Sequence, residues 1–207
     1  MMKSFIYKLD EYDCVVFDLD GTLYDEFDFI YQAYYEVSRY LAEILKIDVN
    51  CLHCKMCNLW LENGSSAPIF QLAIEECSRV NVDIGLIKTC VELYRNAEFS
   101  LTIPSRTKYI LDYLKKKHKK MIIVTDGNSS LQRRKIDRLG LNEWFDMKDI
   151  FVSGDFGKGC QKPNNYMATK FQHNSKKIVY LGDRDIDEAF AKNANIDFIP
   201  IKVMNIV

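Results

Sequence analysis

Short apolar runs recur along the chain, each followed by a turn and then a helical pattern. Cys14-Val15-Val16-Phe17 comes first and Met121-Ile122-Ile123-Val124 second. Asp149-Ile150-Phe151-Val152, Lys177-Ile178-Val179-Tyr180-Leu181 and Ile196-Asp197-Phe198-Ile199 follow. Continuous runs of four or five residues, rich in Val and Ile, suit parallel strands covered on both faces. Helical spacing fills 105–118, 129–140, 164–173 and 185–194. This alternation predicts an α/β fold, a doubly wound parallel sheet with a Rossmann-like core of about five strands.

The strands are unevenly spaced. The last four arrive in quick succession, whereas most of the long gap between the first two reads as helix. Ile30, Ala33, Tyr34, Val37, Leu41, Ile44 and Leu45 fall at three-to-four spacing, one apolar stripe. Further helical patterns cover 52–62, 66–80 and 84–98. The gap is therefore expected to be an inserted, all-helical cap over 25–99, with 1–24 and 100–207 forming the α/β core. An insertion after the first strand emerges at the carboxyl edge of the sheet, where ligands bind in such folds. It is placed to act as a lid.

Chemistry concentrates at those carboxyl edges. Asp18-Leu19-Asp20-Gly21-Thr22-Leu23 follows the first run, Thr125-Asp126-Gly127-Asn128 the second, and Gly182-Asp183-Arg184-Asp185-Ile186-Asp187 the fourth. Gln161-Lys162-Pro163 precedes the fourth. The whole chain holds nine glycines, and Gly21, Gly127 and Gly182 stand at these turns, where the backbone must approach something closely. Asp18, Asp20, Asp183 and Asp187 are expected to converge on one edge. Such a group repels itself unless a cation intervenes. Hard carboxylate oxygens, with no His or Cys in the motifs, point to Mg²⁺ rather than Zn²⁺. Lys162, the Thr125 hydroxyl and the amides of Asp126 and Gly127 offer a positive charge and donors, which together make a phosphate site.

In order and strand context, DLDGTL, VTDGN, QKP and GDRDID resemble the four motifs of the haloacid dehalogenase-like hydrolases. The resemblance covers roughly 13–23 and 104–202; the inserted region resembles the family only in position and helical character. It implies that Asp18 is a nucleophile forming an aspartyl-phosphate, and that Asp20 is general acid and then general base. It implies Mg²⁺ held by the Asp18 carboxylate, the Asp20 carbonyl and Asp183. Asp187 would support the metal shell or orient Lys162, and Thr125 and Lys162 would hold phosphoryl oxygens. Asp126 would face the substrate or fix its loop. Family members that cleave carbon–halogen bonds generally lack an aspartate two residues after the nucleophile. Asp20 therefore favours phosphoryl transfer: a phosphatase on a small phosphorylated metabolite, a sugar phosphate or nucleoside monophosphate. A phosphomutase sharing the intermediate, or a catalytically silent binding member, are the alternatives.

Other features change the picture less. Cys51-Leu52-His53-Cys54-Lys55-Met56-Cys57 carries ligand types for Zn²⁺ or an iron–sulfur cluster. The expectation is instead a cap helix whose cysteines share one broad face and pack as small hydrophobes. The run 115–120, five lysines and His118, is expected to be a solvated helix end, where cations meet the carboxyl-end dipole. Tyr24, Phe27, Phe29 and Tyr31 are expected mostly to pack. The net charge of −1 argues against a nucleic-acid partner, and no apolar run reaches membrane-spanning length. Seven cysteines, an odd number, with charges at the start of the chain, suit a reducing cytoplasm.

Overall fold

The computed structural model describes residues 2–78, 82–172 and 177–201. Five parallel strands form the sheet: β1 (Cys14–Phe17), β2 (Lys120–Thr125), β3 (Ile150–Val152), β4 (Ile178–Gly182) and β5 (Asp197–Pro200), in the order β3-β2-β1-β4-β5. The helices are α1 (Met2–Leu9), α2 (Glu26–Leu45), α3 (Val49–Asn63), α4 (Ile69–Cys77), α5 (Ile84–Asn96), α6 (Ser105–Lys116), α7 (Ser129–Arg138) and α8 (Asp185–Asn193). The doubly wound α/β architecture is the one the periodicity predicts.

The strand order decides where a ligand can sit. From β1 the chain builds outward through β2 and β3, then returns to the other side of β1 for β4 and β5. The direction of winding reverses at β1 and β4, and the crevice outside their carboxyl ends is the switch point of such a sheet. Phe17 is level with Leu181 on one side and Ile123 on the other. The residues that follow these three positions, including Asp18, Thr125 and Asp183, therefore leave the sheet together at one edge.

All four residues of β1 are buried, as a central strand covered on both faces requires. Cys14 and Val16 join a core cluster with Ile122, Val124, Tyr180, Phe171 and Phe190. Phe17, of opposite parity, meets the Phe145 ring edge-on at 5.9 Å.

The chain divides into two compact units, Met1–Glu26 with Leu101–Val207, and Phe27–Ser100. The second is helical, built on an aromatic cluster in which the Phe29 ring meets those of Tyr94 and Phe99 at 5.2 and 5.0 Å. Gln32 clasps the unit's far end, since its amide exchanges two hydrogen bonds of 2.9 Å with the Ser100 backbone. Along α2 the buried stripe includes Ile30, Ala33, Tyr34, Val37 and Leu41, but Ile44 is exposed and Ser38 and Ala42 are buried in its stead. Among the aromatics at its entrance, Tyr24 and Phe29 are buried, and Tyr31 is exposed.

Several local expectations need correction. In place of the helix expected over 164–173 stands a 3₁₀ turn, Met167–Lys170, and 173 lies outside the described residues. Asparagines explain it: Asn164 Oδ1 accepts the Tyr166 amide at 2.8 Å, an alternative to helical bonding. The helix over 66–80 is shorter, Ile69–Cys77, and 79–80 lie outside the described residues. The opening residues form α1, which the periodicity did not indicate; it buries Ile6 and Leu9. In the basic run, Lys119 is not merely solvated. Its ammonium donates to the Asp10 and Tyr12 carbonyls at 2.7 Å, just past the carboxyl end of α1.

The cysteine reading is also corrected. Cys51 and Cys54 are exposed, and only Cys57 of the three is buried. Leu52, Met56 and Leu59 form the buried face of α3, and steps of three residues carry Cys51 and Cys54 off it. His53 is buried with Nε2 at 2.8 Å from the Tyr31 carbonyl. Burial pushes the Cys57 and Cys90 thiols up to about 11. Iodoacetamide at pH 8 is expected to label Cys51 and Cys54 in the folded protein and to spare Cys57 and Cys90 until unfolding, read by peptide mass spectrometry. Equal labelling of Cys57 would refute this arrangement. Among the described residues no helix is long and apolar enough to cross a membrane.

Candidate active site

Asp18 is the first residue beyond β1 and is almost fully buried. Its backbone amide still donates to Leu181 of β4, at 2.9 Å, so the carboxylate is fixed to the sheet edge. Oδ1 accepts from Lys162 Nζ at 2.7 Å. Oδ2 is buried and has no hydrogen-bond partner among the described residues. Asp183, beyond β4, likewise buries an Oδ1 with no partner. Ligand oxygens of Asp18, Asp183 and Asp187 lie within 4.8 Å of one another. Gly21, in left-handed backbone with φ 78°, leaves room for this: a Cβ there would lie 2.5 Å from Asp183 Oδ2.

Asp187 differs from the other two because both its oxygens are engaged. Oδ1 accepts from the Lys162 ammonium and from Tyr180 Oη, the latter at 3.2 Å, and Oδ2 accepts the Arg184 amide at 3.1 Å. Lys162 is in turn saturated. Its three N–H groups face Asp18 Oδ1, Asp187 Oδ1 and, at 3.1 Å, Tyr180 Oη. Two buried carboxylates thus share one ammonium. Burial pushes the Asp18 carboxyl up to about 8, with Lys162 opposing only in part. Burial works against the Lys162 charge, but Asp18 and Asp187 overcome it and raise its pKa.

The four carboxylates do not all converge. Asp20 turns to α7, where Lys135 Nζ reaches its Oδ1 at 2.6 Å and Gln132 Nε2 its Oδ2 at 2.7 Å, with Tyr24 Oη also donating to Oδ1. Strand alternation would have set Asp20 beside Asp18, but β1 ends at Phe17 and the rule ends with it. Burial would raise the Asp20 pKa; Lys135, Tyr24 and Gln132 reverse that and lower it. Gln132 spends its second N–H on Thr125 Oγ1 at 2.7 Å, tying Asp20 to the end of β2.

Of the expected phosphate donors, the Gly127 amide is placed otherwise, and the Asp126 side chain takes the loop-fixing role: its carboxylate accepts the Lys162 amide at 3.0 and 3.2 Å and so fixes one motif to another. The Gly127 amide donates to Ser153 Oγ at 3.1 Å. Gly154 packs against the same loop, where a Cβ would stand 2.5 Å from the Gly127 carbonyl. Asp185 is exposed.

Sequence reasoning passed over Gln132, Lys135, Tyr180 and Arg184, and expected of Tyr24 mostly packing rather than its bond to Asp20. One signal existed for Lys135: it falls one turn after Gln132 and beside Ile136, on the face of α7 that must be buried. A lysine there needs a carboxylate partner.

The geometry accommodates a divalent cation. Two buried carboxylate oxygens without partners, from Asp18 and Asp183, form a hard all-oxygen donor pair of the kind Mg²⁺ takes.

A family model described as haloacid dehalogenase-like hydrolase matches residues 15–201. The glyceraldehyde 3-phosphate phosphatase of Methanocaldococcus jannaschii is 26% identical over 196 residues, which is 92% of this chain and 84% of that protein. Among solved structures, a HAD-superfamily hydrolase, subfamily IA, of Geobacter sulfurreducens matches with a TM-score of 0.65 at 14% identity, covering 91% of this chain and 86% of that one. A provisionally named β-phosphoglucomutase of Thermotoga maritima matches with a TM-score of 0.62 at 22% identity, covering 91% and 84%. These two likenesses concern the fold.

Proposed function

The chain belongs to the haloacid dehalogenase-like hydrolases, and from that premise we propose that it is a Mg²⁺-dependent phosphatase. Its substrate would be a small sugar phosphate, and its intermediate an aspartyl-phosphate on Asp18. The observation that carries this reading is the pair of unpartnered, buried oxygens of Asp18 and Asp183 at the switch point of the sheet. The phosphatase named among the relatives adds the substrate class.

In this reading the Asp18 carboxylate attacks phosphorus, forming the P–O bond to the enzyme as the bond to the sugar oxygen breaks. Asp20 gives its proton to the departing alkoxide, then takes one from the water that hydrolyses the aspartyl-phosphate. The contacts from Lys135, Tyr24 and Gln132 hold Asp20 as the carboxylate that the second step uses. Proton delivery in the first step requires the carboxyl to be released from Lys135 and to take up a proton from solvent before the leaving oxygen departs. Mg²⁺, held by Asp18 and Asp183 with the Asp20 carbonyl, would keep Asp18 ionised and offset charge on the phosphoryl oxygens. Lys162 holds the nucleophile in place through Oδ1. Asp187 and Tyr180 keep that lysine in position.

Phosphate release from p-nitrophenyl phosphate and from a panel of triose, pentose and hexose phosphates tests the proposal. Turnover with Mg²⁺, abolished by EDTA and restored by added Mg²⁺, is expected. Turnover indifferent to EDTA would refute the metal assignment. Isomerisation of a sugar phosphate without phosphate release would instead establish the phosphomutase.

A further inference from the structure

Gln132 is buried on α7, and its amide stands between two residues of the site. A primary amide has two N–H donors, and both are given: one to Asp20 Oδ2 and one to Thr125 Oγ1, each at 2.7 Å. The side chain is held there from several directions. Asn128 caps α7 by accepting the Leu131 amide, and Ser129 and Arg133 both donate to Asp155. The Gly127 turn closes over the Gln132 stem, since a Cβ at Gly127 would stand 3.1 Å from Gln132 Cγ.

Charge sets the direction of these bonds. Asp20 accepts from Lys135 and Tyr24 as well, so its carboxylate takes the donor side of the amide. Turned over, the amide would set its own oxygen against Asp20 Oδ2, acceptor against acceptor. That choice passes on to Thr125. Its Oγ1 receives a hydrogen from Gln132, so its own O–H points away from Gln132 and is left to donate. Thr125 is buried at the carboxyl end of β2, and among the described residues no protein group accepts that O–H. Accepting an N–H also makes a hydroxyl the stronger donor.

We propose that Gln132 is a positioning residue for phosphate binding, which fixes the Thr125 hydroxyl as a donor to a phosphoryl oxygen. This rests on the phosphatase reading above. Asp20 and Thr125 become the two ends of one bridge, so α7 sets the acid–base group and a phosphate donor together.

Gln132→Met, which fills much of the same space without either N–H, tests it in three backgrounds: wild type, Thr125→Val and Thr125→Ser. Inorganic phosphate is the probe, read by titration calorimetry and by inhibition of p-nitrophenyl phosphate turnover, beside KM, kcat and thermal unfolding without ligands. In wild type, Gln132→Met is expected to weaken phosphate binding and raise KM by roughly 3- to 10-fold. In Thr125→Val it should move both by less than about twofold, while its effect on kcat, exerted through Asp20, persists. In Thr125→Ser, which keeps the O–H, the response of phosphate binding to Gln132→Met should return. Gln132→Asn, one methylene shorter and unable to span both acceptors, should reproduce the loss if Met lowers stability. An equal loss of phosphate affinity with and without the Thr125 hydroxyl overturns the proposal. So does lower thermal stability with phosphate affinity unchanged. Wild-type protein that neither binds phosphate nor turns over a phosphate ester overturns the phosphatase reading itself, and the role of Gln132 with it.

Discussion

Asp18→Asn is expected to lower phosphate release from p-nitrophenyl phosphate by on the order of 10⁴-fold or more while the protein stays folded. An amide cannot form the acyl-phosphate bond, and covalent catalysis has no second route when its nucleophile is gone. The fold should tolerate the change because Asn has nearly the same shape and Lys162 keeps Asp187 and Tyr180 as acceptors. Thermal unfolding with and without Mg²⁺ completes the measurement. Wild-type protein should gain stability from Mg²⁺ by mass action, and Asp18→Asn should gain much less, since one of two unpartnered ligand oxygens is lost. Residual activity within about tenfold of wild type would remove Asp18 from the chemistry.

The elements that surround this site were legible because their signal is local. A run such as Cys14–Phe17 declares a central strand by being apolar without alternation, and DLDGTL declares its end by placing aspartates and glycine there. What the sequence left hidden depends on where the chain bends after the strand. Asp18 and Asp20 are two residues apart, and only a continuing strand would aim them together. β1 stops at Phe17, so Asp18 meets Lys162 while Asp20 meets Lys135, 115 residues away. That second pairing cannot be read from spacing, because it exists only when α7 packs against the turn. The same holds for Asp126. An aspartate at a strand end reads equally well as a ligand or a brace, and only its bond to the Lys162 amide decides for the brace. Position 162 was found from its QKP context, yet its saturation by Asp18, Asp187 and Tyr180 turns on distances no motif carries.

Lys162→Met should cost about 3–5 kcal/mol of stability, the usual penalty for removing one partner of a buried pair, besides abolishing most activity. In a chain of this length each kcal/mol corresponds to about 2–4 °C, so the midpoint should fall by roughly 6–20 °C. Size is not the cause: Met fills much of the space of a lysine stem. The cost arises because Asp18 Oδ1 and Asp187 Oδ1, both buried, lose the one ammonium they share, and Tyr180 Oη loses a donor. The double variant Asp18→Asn/Lys162→Met separates this from a packing defect. If stranded charge is the cause, removing one carboxylate must return stability, and the double variant will unfold at a higher temperature than Lys162→Met alone. Additive losses would mean that the triangle of Asp18, Lys162 and Asp187 is not the coupled unit its geometry describes. Added Mg²⁺ should narrow the deficit of the single variant as well, since a cation bound by Asp18 and Asp183 supplies part of the charge that Lys162 took away. In this site the lysine and the metal answer the same physical need, the neutralisation of aspartates held in one buried edge.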